Sequence, residues 1–111
     1  MTLRPLASIR DIVVREYALH PGEICSPSRD RRVARPRQVG MYLCYRLTDA
    51  SNSMIGIAFG NRDHSTVIHA RKVIPMLMAE NPAFAAEVLR LERLIMKASE
   101  LPRAFPPLTP D

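Results

Sequence analysis

Tryptophan is absent from this 111-residue chain, aromatic residues make up 5%, and there are four glycines and two cysteines. A core without tryptophan must be aliphatic, built from Leu, Ile, Val, Ala and Met. The hydrophobic share of 47% supports one domain with a modest core. Cys25 and Cys44 make neither a C-x-x-C pair nor a zinc spacing. A disulfide framework and a metal site are therefore not expected, and both cysteines read as reduced thiols, Cys44 as a small core residue. Charged residues interrupt the N-terminus from Arg4 onward, and no apolar run approaches signal-peptide or membrane-spanning length. A cytoplasmic chain with no membrane partner is expected. No G-x-x-x-x-G-K-[ST] run occurs, so neither a phosphate-cradling loop nor an ATPase module is expected, and no cofactor.

The formal net charge is +5, and its distribution is uneven. Between Arg29 and Arg46 lie Arg29, Arg31, Arg32, Arg35, Arg37 and Arg46 against Asp30 alone. The rest of the chain is balanced, so the whole excess sits in one segment. A focused basic stretch is the electrostatic footprint of a polyanion partner. A solvated basic loop with no partner is the plainer reading of the same charges.

Punctuation along the chain predicts an all-α fold of five or six helices. Met1 to Ala7 reads as a short lead, and Ser8-Ile9-Arg10-Asp11 resembles a capping box. A helix then runs to about Leu19, with Ile9, Ile12, Val13 and Tyr17 on one face, and His20-Pro21-Gly22 stops it. After an arginine-rich loop over residues 26–32, Pro36 fits the first turn of a helix reaching Leu47, with Val39, Leu43, Cys44 and Leu47 buried. Ser51 or Asn52 can cap a short helix over Met54, Ile55, Ala58 and Phe59. Pro75 inside the following helix should kink or end it, at roughly 3 kcal/mol. Asn81-Pro82 starts a last helix, on which Phe84, Val88, Leu91, Ile95 and Ala98 form a heptad-like seam. That seam reads first as packing on the domain's own core through Ile9, Val13 and Tyr17, and secondly as a dimer or partner surface. Residues 8–100 form the domain, and 101–111, with four prolines, a disordered tail.

One stretch, Phe59-Gly60-Asn61-Arg62-Asp63-His64-Ser65-Thr66-Val67-Ile68-His69-Ala70, concentrates chemistry. Gly60 can take the positive φ that ends one helix, Asn61 tolerates it, and Asp63 can cap the next. Two helices joined by so tight a turn read as a helix-turn-helix, with the polar start of the second against nucleic acid. Asp63, His64 and Ser65 cannot form a catalytic triad among themselves, because adjacent helical residues point about 100° apart. His64 and His69 do not share a face, so they are no metal pair, and His69 reads as a packed or structural histidine. No enzymatic activity is expected.

The same stretch resembles the GRDHSTV signature of the C-terminal DNA-binding domain of the DnaA family of bacterial chromosomal replication initiators. Val33-Ala34-Arg35-Pro36-Arg37-Gln38 with Met41-Tyr42-Leu43 resembles that family's VARPRQ…MYL helix, and Ile55-Gly56-Ile57-Ala58-Phe59-Gly60 the helix before the signature. The resemblance covers Ser8 to Lys97. It implies a compact, Trp-repressor-like helix-turn-helix domain, as in the DnaA C-terminal domain, that binds double-stranded DNA at initiator-box-like sites. Asp63, His64 and Ser65 would meet bases in the major groove, and Arg29 would reach the minor groove. Arg37, Gln38 and Thr66 would contact the DNA backbone, with Arg62, Arg71 and Lys72 as further phosphate contacts, or Arg62 as a structural ion-pair partner instead. The implied role is regulation of replication initiation or transcription by a monomer at the nucleoid. A module docking on the initiator or on a replication-regulating AAA+ ATPase is a rival reading, as is a phage or mobile-element origin-binding protein. The sequence departs from the pattern at Asn61, which replaces a glycine, at Tyr45, where lysine is common, and at Ser53-Met54, which replace Pro-Glu. Weaker binding than the initiator's own is expected.

Overall fold

The computed structural model describes residues 4–100, and every described element is helical: α1 (Arg4–Glu16), α2 (Arg31–Leu47), α3 (Asn52–Ala58), α4 (His64–Glu80) and α5 (Pro82–Glu100). The proline-rich segment expected to be a tail falls outside the described residues.

Helix α1 begins at Arg4, ahead of the Ser8 box. Pro5 lies in its first turn, where a missing N–H costs nothing, and Leu6 is fully buried. Burying Leu6 with Ile9 and Val13 extends the apolar stripe one turn back, so Ser8 sits exposed inside the helix and caps nothing. The helix also stops earlier than Leu19. Ala18 takes φ +55°, its N–H bonds to the Arg15 carbonyl at 3.1 Å, and the Leu19 N–H bonds to Val14 at 2.9 Å. These are the two bonds of a Schellman cap, with Leu19 and Val14 both buried as its apolar contact.

Helix α2 starts at Arg31, five residues before Pro36, and so corrects the expected first-turn position of that proline. Asp30 is the N-cap, and its Oδ1 accepts from the Arg32 N–H at 3.0 Å. Pro36 sits inside the helix with its ring buried. Burial extends beyond the expected stripe to Val33 and Met41, because α2 packs against α1, α3 and α4. Cys44 lies in this core, and burial pushes its thiol up to about 12, consistent with an inert side chain. At the C-terminus the Thr48 hydroxyl donates to the Cys44 carbonyl at 2.7 Å.

Pro75 does not end α4, which continues to Glu80. The ring offers no N–H to the Arg71 carbonyl, but Ile74 is fully buried one residue earlier and Leu77 packs on the same core. Asn81 alone separates α4 from α5 and serves both. Its N–H closes α4 on Leu77 at 2.9 Å, and its Oδ1 accepts from the Phe84 N–H at 3.1 Å.

Helix α5 crosses α4 and α1, with Val88, Leu91 and Ile95 buried, Phe84 half-buried and Ala98 exposed. The Tyr17 hydroxyl donates to Glu87, Arg90 pairs with Glu16 at 3.0 Å, and Arg46 pairs with Glu92 at 3.1 Å. Such surface pairs orient more than they stabilise. No helix among the described residues is long and apolar enough to cross a membrane.

Candidate nucleic-acid interface

The link between α3 and α4 is five residues long and closes on the carbonyls of Gly56 and Ile57. The Ser51 hydroxyl caps α3 by accepting from the Met54 N–H at 3.1 Å. At the other end, the N–H groups of Phe59 and Arg62 both donate to the Gly56 carbonyl, at 3.2 and 2.8 Å. Gly60 and Asn61 take φ values of +95° and +60°, the left-handed pair that reverses the chain. Gly60 has a second reason to be glycine, since a Cβ there would collide with the Cys25 carbonyl.

Asp63 occupies the N-cap of α4, but its carboxylate does not cap the helix amides. It accepts instead from the Ser65 hydroxyl at 2.9 Å, and its Oδ1 lies 3.1 Å from His64 Nδ1. The Ser65 bond, followed by the neighbouring His64, holds the Asp63 carboxyl below its ordinary range. The Ser65 proton therefore points to Asp63 and not to an imidazole, which is not the arrangement of an activated nucleophile. Asp63, His64, Ser65 and Thr66 are all exposed, whereas Val67, Ala70 and Ile74 are buried. Helix α4 thus anchors by one face and presents a polar N-terminus by the other. His69 lies on the outer face and is exposed, contrary to its reading as a packed histidine. Lys72 is exposed as well.

The arginine segment divides by environment. Arg29 and Arg31 are exposed. Arg32 is held by Glu23, which raises the arginine pKa and lowers that of the carboxyl through their hydrogen bond. Arg35 donates to Gln38 Oε1 at 2.8 Å, so Gln38 keeps its amide N–H groups for another partner. Arg37 is where expectation and structure part. It is 7% exposed, and its fork donates to the carbonyls of Ile24 at 2.7 Å, Ser28 at 3.1 Å and Ser26 at 2.9 Å. Burial, then the nearby Arg62 charge, lowers its pKa. Arg37 is a loop-holding residue, not a surface cation free to meet a phosphate. Arg62 also donates to the Ser26 carbonyl, and its buried Nε has no partner among the described residues.

Arg71 is half-buried and stacked on Tyr45, and its Nη1 donates to Asn52 Oδ1 at 3.4 Å. The structure therefore gathers Asp63, His64, Ser65 and Thr66 at one helix start and sets Arg71 further along the same helix. The contributions of Asn52 and Tyr45 around Arg71 had no signal in the sequence pattern, because they depend on how α2, α3 and α4 pack. Among the described residues no cluster of three or more His, Cys, Asp or Glu could hold a metal.

A tight left-handed turn, an anchored second helix and a polar exposed helix start define a helix-turn-helix domain. Comparison gives its family: residues 6–74 match the bacterial dnaA protein helix-turn-helix, and the chain belongs to that family. It is 42% identical over 86 residues to the chromosomal replication initiator protein DnaA of Symbiobacterium thermophilum, covering 78% of this chain and 19% of that one. It is 38% identical over 89 residues to the Magnetococcus marinus protein of the same name, covering 80% and 20%. It therefore spans about a fifth of the length of these relatives. Among solved structures, a crystal structure of a DNA replication initiation factor superposes with a TM-score of 0.76 at 32% identity, over 85% of this chain and 29% of that chain.

Proposed function

We propose that this domain binds double-stranded DNA sequence-specifically, at sites like the recognition boxes of the replication initiator, and thereby regulates replication initiation or transcription. The observation that carries this reading is the start of α4, where four consecutive polar side chains, Asp63 to Thr66, are exposed on a helix whose other face is locked in the core. A helix so presented fits the major groove, about 12 Å wide. Asp63 would accept from a cytosine or adenine amino group, His64 would donate to guanine, and Ser65 would do either. Thr66, with the first amides of α4, would bond a phosphate. Arg29, exposed beside the α2 cap, would enter the adjacent minor groove, where A·T-rich stretches attract cations. Gln38, Lys72 and Arg71 would contact the backbone, and Arg37 would support the loop from beneath. The site of action is the cytoplasm, at the nucleoid.

Fluorescence anisotropy with a box-bearing duplex and a scrambled duplex, each at several salt concentrations, tests the reading. Preferential binding to the box, weakening steeply with salt, is the expected result. Equal binding to both duplexes would remove sequence specificity, and no binding at low salt would remove the function.

A further inference from the structure

The loop bearing Arg29 and the turn preceding α4 are joined by more than chain proximity. The Ser26 carbonyl receives both guanidinium groups, Arg37 from α2 and Arg62 from the helix-turn-helix turn. Arg37 also holds the Ser28 carbonyl, immediately before Arg29, and the Ile24 carbonyl. From the other side the Gly60 backbone sits so close to the Cys25 carbonyl that no side chain fits between them. The Cys25 thiol lies 3.6 Å from the Ala58 carbonyl. Within the loop, the Ser26 hydroxyl donates to Glu23 at 2.6 Å, and the Asp30 N–H donates to the Ser28 hydroxyl at 3.2 Å. The tie therefore ends one residue from Arg29 on one side, and at Arg62, one residue from Asp63 and two from His64, on the other.

We propose that Arg62, acting with Arg37 on the Ser26 carbonyl, is a positioning residue that fixes the span between the minor-groove arginine Arg29 and the major-groove start of α4. This rests on the DNA-binding reading above and deepens it. The tie makes the loop and α4 one unit, so the backbone that carries Arg29 is placed before DNA arrives and does not have to be ordered on binding. The consequence is geometric. An A·T-rich flank contributes only at the spacing from the box that this unit spans, because minor-groove narrowing is local to its own base steps. A guanidinium suits this role, since its planar fork donates in a fixed direction, whereas a lysine ammonium does not.

The test uses the full chain and three duplexes: a box with an adjoining A·T-rich flank, the same box with a G·C-rich flank, and a box whose A·T-rich flank is displaced by two inserted G·C pairs. The wild type should bind the first duplex several-fold more tightly than the other two, which should be alike. Arg62→Ala should bring the first two towards equality by weakening the A·T-flanked complex more than the G·C-flanked one, and keep the slope of affinity against salt. Arg62→Lys, which preserves charge, should show the same loss of flank discrimination and covers the case in which the alanine variant unfolds. A uniform loss on all three duplexes, with the salt slope reduced by about one, would make Arg62 a phosphate contact and overturn the proposal. Unchanged flank ratios in both variants would overturn it too. A wild type that prefers the box but ignores its flank would refute the placement of Arg29, and the positioning role with it. Loss of the box preference itself, read by adding the scrambled duplex as a fourth probe, would overturn the DNA-binding reading and not the positioning role.

Discussion

Arg71 lies face-on over the ring of Tyr45, with its guanidinium carbon 3.8 Å from the ring centroid. The stack bridges α4 and α2 at the edge of the candidate interface, and Asn52 on α3 takes one guanidinium N–H. A cation over an aromatic face contributes about 0.5–1 kcal/mol when exposed and about 2 kcal/mol when desolvated. Tyr45 is 42% exposed and Arg71 half-buried, which places this pair between those limits. Tyr45→Phe should leave stability unchanged, because the ring and not the hydroxyl makes the contact. Tyr45→Ala should cost about 1 kcal/mol. Arg71→Lys should lose most of the same amount, since an ammonium cannot lie flat on the ring. Urea denaturation followed by helical circular dichroism checks all three. A Phe variant as weak as the Ala variant would contradict the stacking account.

The left-handed Ala18 offers a gain in stability. Its Schellman cap is complete, but a Cβ at φ +55° costs roughly 1–2 kcal/mol that glycine avoids. Glycine adds freedom to the unfolded chain, which takes back part of that difference. Ala18→Gly should stabilise the domain by about 0.5–1 kcal/mol and raise its melting temperature by a few degrees. Thermal unfolding measures it directly, and a lower melting temperature would mean that the cap is not formed as described.

For the proposed interface, His64→Ala and Asp63→Ala should each reduce discrimination between box and scrambled duplex by about 1–3 kcal/mol, as loss of a base contact does. Both side chains are exposed, so neither change should unfold the chain. Lys72→Ala should instead weaken all duplexes alike. Competition titrations with folded variants separate the two patterns. Full specificity in both the His64 and Asp63 variants would remove their base-reading assignment.

Features whose cause is local were legible in the sequence. Ser51, Asn81-Pro82 and Gly60-Asn61 act through bonds or dihedrals within a few residues, and each sits in the structure where its chemistry predicts. The two internal prolines were not legible in the same way. The local cost of Pro36 and Pro75 is real, but burial of Pro36 itself, and of Ile74 beside Pro75, keeps both helices continuous. Arg37 shows a different limit. In a run of arginines it looks like surface charge, and only three carbonyls from a loop nine to thirteen residues earlier make it an interior residue. His69 misled in the opposite direction, because its apolar neighbours hide that residues 67, 70 and 74 define the buried face.

Helix α5 decides the expected state of assembly. Its seam was open to two readings, self-packing or an interface, and the buried residues favour the first. Val88 and Leu91 are fully buried and Ile95 nearly so within one chain. The middle of the seam therefore packs within one chain, against the core that α5 shares with α1 and α4. The exposed Leu89 and Met96 lie off it, and each shows less than half of its surface. The chain should be monomeric across a wide concentration range, which sedimentation velocity checks. Leu91→Ala should destabilise that monomer by roughly 2–5 kcal/mol, because truncating a buried leucine loses both its transfer energy and its packing. In denaturant titrations the midpoint should fall with the slope nearly unchanged. A stable dimer that Leu91→Ala splits into folded monomers would show instead that the seam is an interface, and that a partner covers it in solution.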